Sequence, residues 1–95
     1  MIPQDYTVID LEMTGLHPKN DAILEVGAAK IRNGEVTDTM DFFVNPGRKI
    51  TQEITELTGI TDEMVKEGLS PAAAFHKTAE FIGDDILVGH NIIFD

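Results

Sequence analysis

Two carboxylates two residues apart, Asp10 and Glu12, sit inside an apolar stretch near the start of the chain, in Ile9-Asp10-Leu11-Glu12-Met13-Thr14-Gly15-Leu16. Residues two apart on a strand point to the same side, so Asp10 and Glu12 project together while Ile9 and Leu11 face packing on the other side. Two adjacent carboxylates repel, and one takes up a proton unless a cation relieves the pair. Oxygen donors without a supporting histidine or cysteine favour a hard ion, Mg²⁺ or Mn²⁺ rather than zinc. Taken alone, an Asp-x-Glu pair reads better as an acid pair at a solvent-exposed strand end than as a metal site. Thr14-Gly15 follows directly, and a glycine there allows close approach of the backbone to a ligand. A third carboxylate, Asp95, ends the sequence in Gly89-His90-Asn91-Ile92-Ile93-Phe94-Asp95. Asn91 can cap a helical turn that carries Asp95, and this turn meets Asp10 and Glu12 if the strand before it runs beside the first.

The elements that must position these groups are legible in outline. Tyr6–Leu11 is rich in β-branched and apolar residues and reads as a buried strand. Ala22–Ile31 reads as a second strand and Val36–Val44 as a third, with the hairpin dipeptide Asn33-Gly34 between them. The short connections make these three an antiparallel meander. Thr51 can cap a short helix that Gly59 terminates, and Thr61 a second that ends near Gly68. Ser70-Pro71 is a cap followed by proline at the first helical position, opening a longer helix to about Ile82. Its apolar positions Ala72, Phe75, Ala79 and Ile82 follow helical spacing, and Gly83 closes it. Ile86–Val88 is a fourth strand. Strands, then helices, then a further strand imply an α/β arrangement.

The 95 residues suit one small domain, 1–95, with no repeat or low-complexity segment. A chain of this size buries about 60–65% of its unfolded surface, which leaves a thin stability margin. The absence of cysteine rules out disulfides and thiolate metal sites. No signal peptide or membrane span is visible, so no membrane partner is expected and a cytoplasmic location is the default. The net charge of −10 is unlike the basic surface common among nucleic-acid binders. Acids such as Glu53, Glu56, Asp62, Glu63 and Glu67 fit solvated helix faces. A few of the 17 acids can instead gather divalent cations, which supply the positive charge that a phosphate requires.

Val8-Ile9-Asp10-Leu11-Glu12-Met13-Thr14-Gly15-Leu16 resembles the first motif of the DnaQ-like (DEDD) 3′–5′ exonuclease superfamily, and His90–Asp95 resembles its second. Ile23–Gly27, Phe43–Pro46 and Leu57–Thr61 resemble further segments in the same order, so the likeness covers the whole chain. It lies nearest the proofreading exonucleases of bacterial DNA polymerase III, of the epsilon-subunit and PolC type; Met13 also resembles oligoribonuclease. The resemblance implies a ribonuclease H-like fold and a two-metal phosphodiesterase releasing nucleoside 5′-monophosphates from DNA 3′ ends, with a DNA polymerase as partner. It implies that Asp10 bridges two Mg²⁺ or Mn²⁺ ions, that Glu12 binds the ion on the nucleophile side, and that Asp95 completes the site. Thr14 then meets the terminal 3′-OH, with Gly15 and Asn91 beside the substrate. Met13, Leu16 and Leu57 pack against the terminal base, although core packing suits Leu57 equally.

The family's third motif, with a histidine or tyrosine base and a fourth aspartate, has no match here. His17 reads as a turn residue, His76 as a helix-surface residue and His90 as structural. The expectation is therefore a truncated, N-terminal portion of the fold, with little or no activity as an isolated chain. Two alternatives stand beside it: an exoribonuclease acting on short RNA, and a non-catalytic binding module that forms a homodimer through an exposed sheet edge.

Overall fold

The computed structural model describes residues 3–15 and 21–90. Leu16, His17, Asn91 and Asp95 lie outside the described residues, as does the helical turn expected after Asn91. Three strands open the chain: β1 (Tyr6–Met13), β2 (Ile23–Arg32) and β3 (Glu35–Phe43). Three helices follow, α1 (Gln52–Thr58), α2 (Asp62–Val65) and α3 (Pro71–Ile82), and then β4 (Leu87–His90). The sheet order is β3-β2-β1-β4. The first three strands form the expected antiparallel meander, and β4 lies parallel to β1.

Local chemistry explains most boundaries. Asn33 and Gly34 both take positive φ, 54° and 77°, which gives the β2–β3 turn a twist matching its strands. The hydroxyls of Thr51, Thr61 and Ser70 accept the backbone N–H three residues on, at 3.2 Å in each case, and so start the three helices. Gly59 closes α1 in the left-handed conformation, its N–H donating to the Thr55 carbonyl.

Strand β4 runs to His90 rather than Val88, and two other ends also differ from expectation by two residues or more. Strand β1 continues past Leu11 to Met13, because pairing with β2 persists through Glu12 opposite Glu25 and, after an irregularity, Met13 opposite Ile23. Helix α2 stops at Val65 rather than near Gly68. The next residues turn back so that Leu69 can pair its backbone with Phe43 and Asn45.

The main core joins the sheet to α3. Ile9, Val26, Val44 and Ala74 are buried together, with Leu11, Met40, Phe42 and Ile82 packed around them. Of Ala72, Phe75, Ala79 and Ile82, Ile82 packs against this core and the other three are exposed. Phe75 is 71% exposed, and Ala74 is the buried position of α3. Both sets have helical spacing, so periodicity alone does not say which one the sheet covers. A second cluster, Leu24, Ile50, Ile60 and Val65, seats α1 and α2 against the end of β2. The five helix acids from Glu53 to Glu67 are exposed, as expected.

Candidate active site

The two faces of the sheet differ in chemistry. Ile9 and Leu11 join the core beneath α3, which leaves Asp10 and Glu12 on the other face. Strand register extends that face across the sheet. Asp10 stands opposite Gly27, and Gly27 opposite Asp41; Glu12 stands opposite Glu25, and Glu25 opposite Phe43. Four carboxylates of three strands therefore share one face: Asp10, Glu12, Glu25 and Asp41. Gly27, without a side chain, leaves the row between Asp10 and Asp41 open.

This charge registers on Glu25. Its carboxyl is pushed up to about 7, first by burial, then by a hydrogen bond with Asp41 and by the negative charges of Asp41, Glu12 and Asp10. Every one of these influences acts in the same direction. Such a face suits a divalent cation, because clustered carboxylate oxygens are the donors that Mg²⁺ or Mn²⁺ prefers. Asp10 and Glu12 supply two such donors, and Oδ1 of Asp10 is buried. No group of three or more metal-ligating side chains assembles among the described residues.

The fourth strand sets where the chain goes next. It pairs with β1 from Thr7 opposite Leu87 to Asp10 opposite His90. Strand β4 thus ends at His90, opposite Asp10 on the adjacent strand. The carboxylate of Asp85, just before β4, fixes that register at the opposite end of β1. It accepts from the Thr7 hydroxyl at 2.6 Å, from Lys30 at 3.3 Å and from both oxygens' partner Arg32 at 2.9 and 3.0 Å. Thr7 is fully buried, and its N–H donates to the Ile86 carbonyl at 2.9 Å.

At the far end of β1, Met13, Thr14 and Gly15 are half-buried. Leu57 is 80% exposed on α1, which removes core packing as its role. His76 lies on the surface of α3, as its position in sequence suggested. Glu25 and Asp41 went unrecognised as site neighbours. For Glu25 the signal was the segment Ile23–Gly27, noted only for its resemblance to the family; Asp41 carried none in the sequence.

Comparison with known proteins decides the family. A family model described as Exonuclease matches residues 7–95. The chain belongs to this exonuclease family. It is 44% identical over 92 residues to the PolC-type DNA polymerase III of Bacillus subtilis, covering 97% of this chain and 6% of that protein. The PolC-type enzyme of Clostridium perfringens is likewise 44% identical over 91 residues, covering 96% of this chain and 6% of its own length. The chain therefore spans about 6% of the length of these relatives. Among solved structures, Escherichia coli exonuclease I in complex with a dA16 oligonucleotide superposes with a TM-score of 0.79 at 19% identity, over 94% of this chain and 20% of that one. The nuclease domain of 3′hExo, a DEDDh family member bound to rAMP, gives a TM-score of 0.72 at 20% identity, over 90% and 50% of the two chains. The exonuclease family thus carries the expected ribonuclease H-like fold into this chain. None of its described helices is long and apolar enough to cross a membrane.

Proposed function

We propose that this chain supplies the front part of a metal-dependent 3′–5′ exonuclease site that trims DNA 3′ ends to nucleoside 5′-monophosphates, in association with a DNA polymerase. One observation carries the reading: β4 lies parallel to β1 with His90 opposite Asp10, so the second motif begins beside the first. The PolC-type relatives support a DNA substrate and a polymerase context.

In this reading Asp10 and Glu12, with Asp95, hold two Mg²⁺ or Mn²⁺ ions. Bound ions of this kind supply a water nucleophile at neutral pH and neutralise charge on the leaving 3′ oxygen. Asp10 and Glu12 act from a rigid strand whose opposite side is locked into the core. Thr14, Gly15 and Asn91 orient the terminal nucleotide. Met13, Leu16 and the exposed Leu57 offer apolar surface to its base. Leu57→Ser is expected to leave stability within about 0.5 kcal/mol, because the side chain is already in solvent. The same change weakens binding of a 3′ end, which fluorescence anisotropy measures.

The direct test uses the full-length protein carrying this sequence and oligonucleotides labelled at the 5′ end. Trimming of DNA from its 3′ end that needs Mg²⁺ or Mn²⁺ and disappears in Asp10→Ala is the expected result. Trimming of RNA in preference to DNA replaces the substrate, and no metal-dependent trimming of either sinks the proposal. The outer strand β4 favours a second reading, since Ile86, Leu87 and Val88 are 57%, 45% and 43% exposed. That reading is a homodimer through this edge; a molecular mass that stays at one chain when the protein is concentrated refutes it.

A further inference from the structure

The end of β1 carries a hydrogen-bond arrangement that the proposed reaction has not used. The Thr14 hydroxyl donates to Oδ1 of Asp21 at 2.7 Å and accepts from the Ala22 N–H at 2.9 Å. The Thr14 N–H donates in turn to the Ala22 carbonyl at 2.9 Å. Asp21 is also packed over Gly15. A Cβ on Gly15 would meet the Asp21 carboxylate at 2.6 to 2.9 Å, closer than real carbon atoms approach. Glycine at position 15 is thus what admits the carboxylate to its place beside Thr14.

A threonine hydroxyl has one proton and two lone pairs, and an ionised carboxylate can only accept. Asp21 therefore consumes the proton, and Ala22 occupies one lone pair. Among the described residues, what remains on Thr14 is a single acceptor site of fixed direction. Resting on the proposed function, we infer that Asp21 is a positioning residue that makes Thr14 an obligate hydrogen-bond acceptor, so that the site selects ends whose 3′ substituent is a donor. A 3′-hydroxyl or 3′-amino end satisfies it. A 3′-fluoro end, of similar size and without a proton to give, faces an oxygen lone pair instead.

The test measures kcat/KM of the full-length protein with Mg²⁺ on oligonucleotides ending in 3′-hydroxyl, 3′-amino and 3′-fluoro groups. Wild-type protein is expected to favour hydroxyl over fluoro ends. In Asp21→Ala the freed Thr14 proton can turn toward the substrate, and this preference falls by about fivefold, the value of one neutral hydrogen bond. Asp21→Asn, whose amide carbonyl can still accept from Thr14, retains most of it. Thr14→Val loses the preference as Asp21→Ala does, and the double variant loses no more. A hydroxyl-to-fluoro ratio unchanged in Asp21→Ala, with all three ends slowed equally, overturns the inference and leaves the proposed function standing. Absence of trimming on every end in wild-type protein overturns the proposed function, and this inference with it.

Discussion

Strand β1 ends in opposite electrostatic situations. At its start, the carboxylate of Asp85 meets the Thr7 hydroxyl, Lys30 and Arg32, and its pKa is lowered to about 2, first by the Thr7 hydrogen bond and then by that of Arg32. From three residues beyond Thr7 onward, Asp10 and Glu12, with Glu25 and Asp41 across the sheet, crowd one face, and Glu25 is driven the other way, to about 7. The difference is between a carboxylate held by cationic and hydroxyl partners and a carboxyl crowded by other carboxylates. Natural folds place strained electrostatics where function needs it. The same strand serves both purposes, because Thr7 points toward α3 while Asp10 and Glu12 point away.

The largest effect expected from this contrast is on activity at the acidic end. Asp10→Asn in the full-length protein should reduce 3′ trimming on the order of a thousandfold or more, the scale of losing a cation's charge stabilisation. Its thermal midpoint should stay level or rise, since one of four crowded charges is gone. Asp85→Ala should do the reverse. It strands buried Thr7 and two cations and unties β4 from β1, so its midpoint should drop further than for any substitution on the acidic face. A mutant of Asp85 that keeps wild-type stability breaks the comparison.

The pH dependence follows from the same groups. A carboxylate whose folded pKa is depressed stabilises the fold above its unfolded value and loses that contribution as pH falls. For Asp85 the contribution is present above 3.8 and disappears as pH falls toward 2. Denaturant melts across that window should show stability declining with acid, and Asp85→Asn should flatten the decline.

What was legible in the sequence followed the range of the interactions. Asp10 and Glu12 share a face because of a two-residue repeat, and Thr51, Thr61 and Ser70 cap helices through partners three residues away. These are local, and the sequence displays them. Asp85 drew no reading from the sequence, because its partners Thr7, Lys30 and Arg32 lie 78, 55 and 53 residues off. Glu25 and Asp41 were passed over for the same reason; only the cross-strand register brings them beside Glu12 and Asp10. On α3 the apolar spacing marks the helix without saying which side is covered. Ile82 packs on the core while Ala72, Phe75 and Ala79 face outward, and Ala74, chemically identical to Ala72, is buried.

The smallest expected effect sharpens the comparison most, because it inverts the usual outcome of removing a polar group. A carboxyl whose folded pKa is raised holds its proton while the unfolded chain releases it, so stability is greatest below the unfolded value and falls as pH rises through the folded one. For Glu25 that fall spans 4.5 to about 7. Glu25→Gln keeps the shape and a donor for Asp41 but removes the ionisation. At pH 8 and without divalent ions it should therefore stabilise the protein, by on the order of 1 kcal/mol once solvent screening of a half-exposed face is allowed for. Below pH 4.5 the gain should vanish. Paired melts of wild type and variant at the two pH values check both halves. If Glu25→Gln destabilises equally at both, Glu25 is a structural hydrogen-bonding residue, and the acidic end of β1 is no more strained than the balanced one.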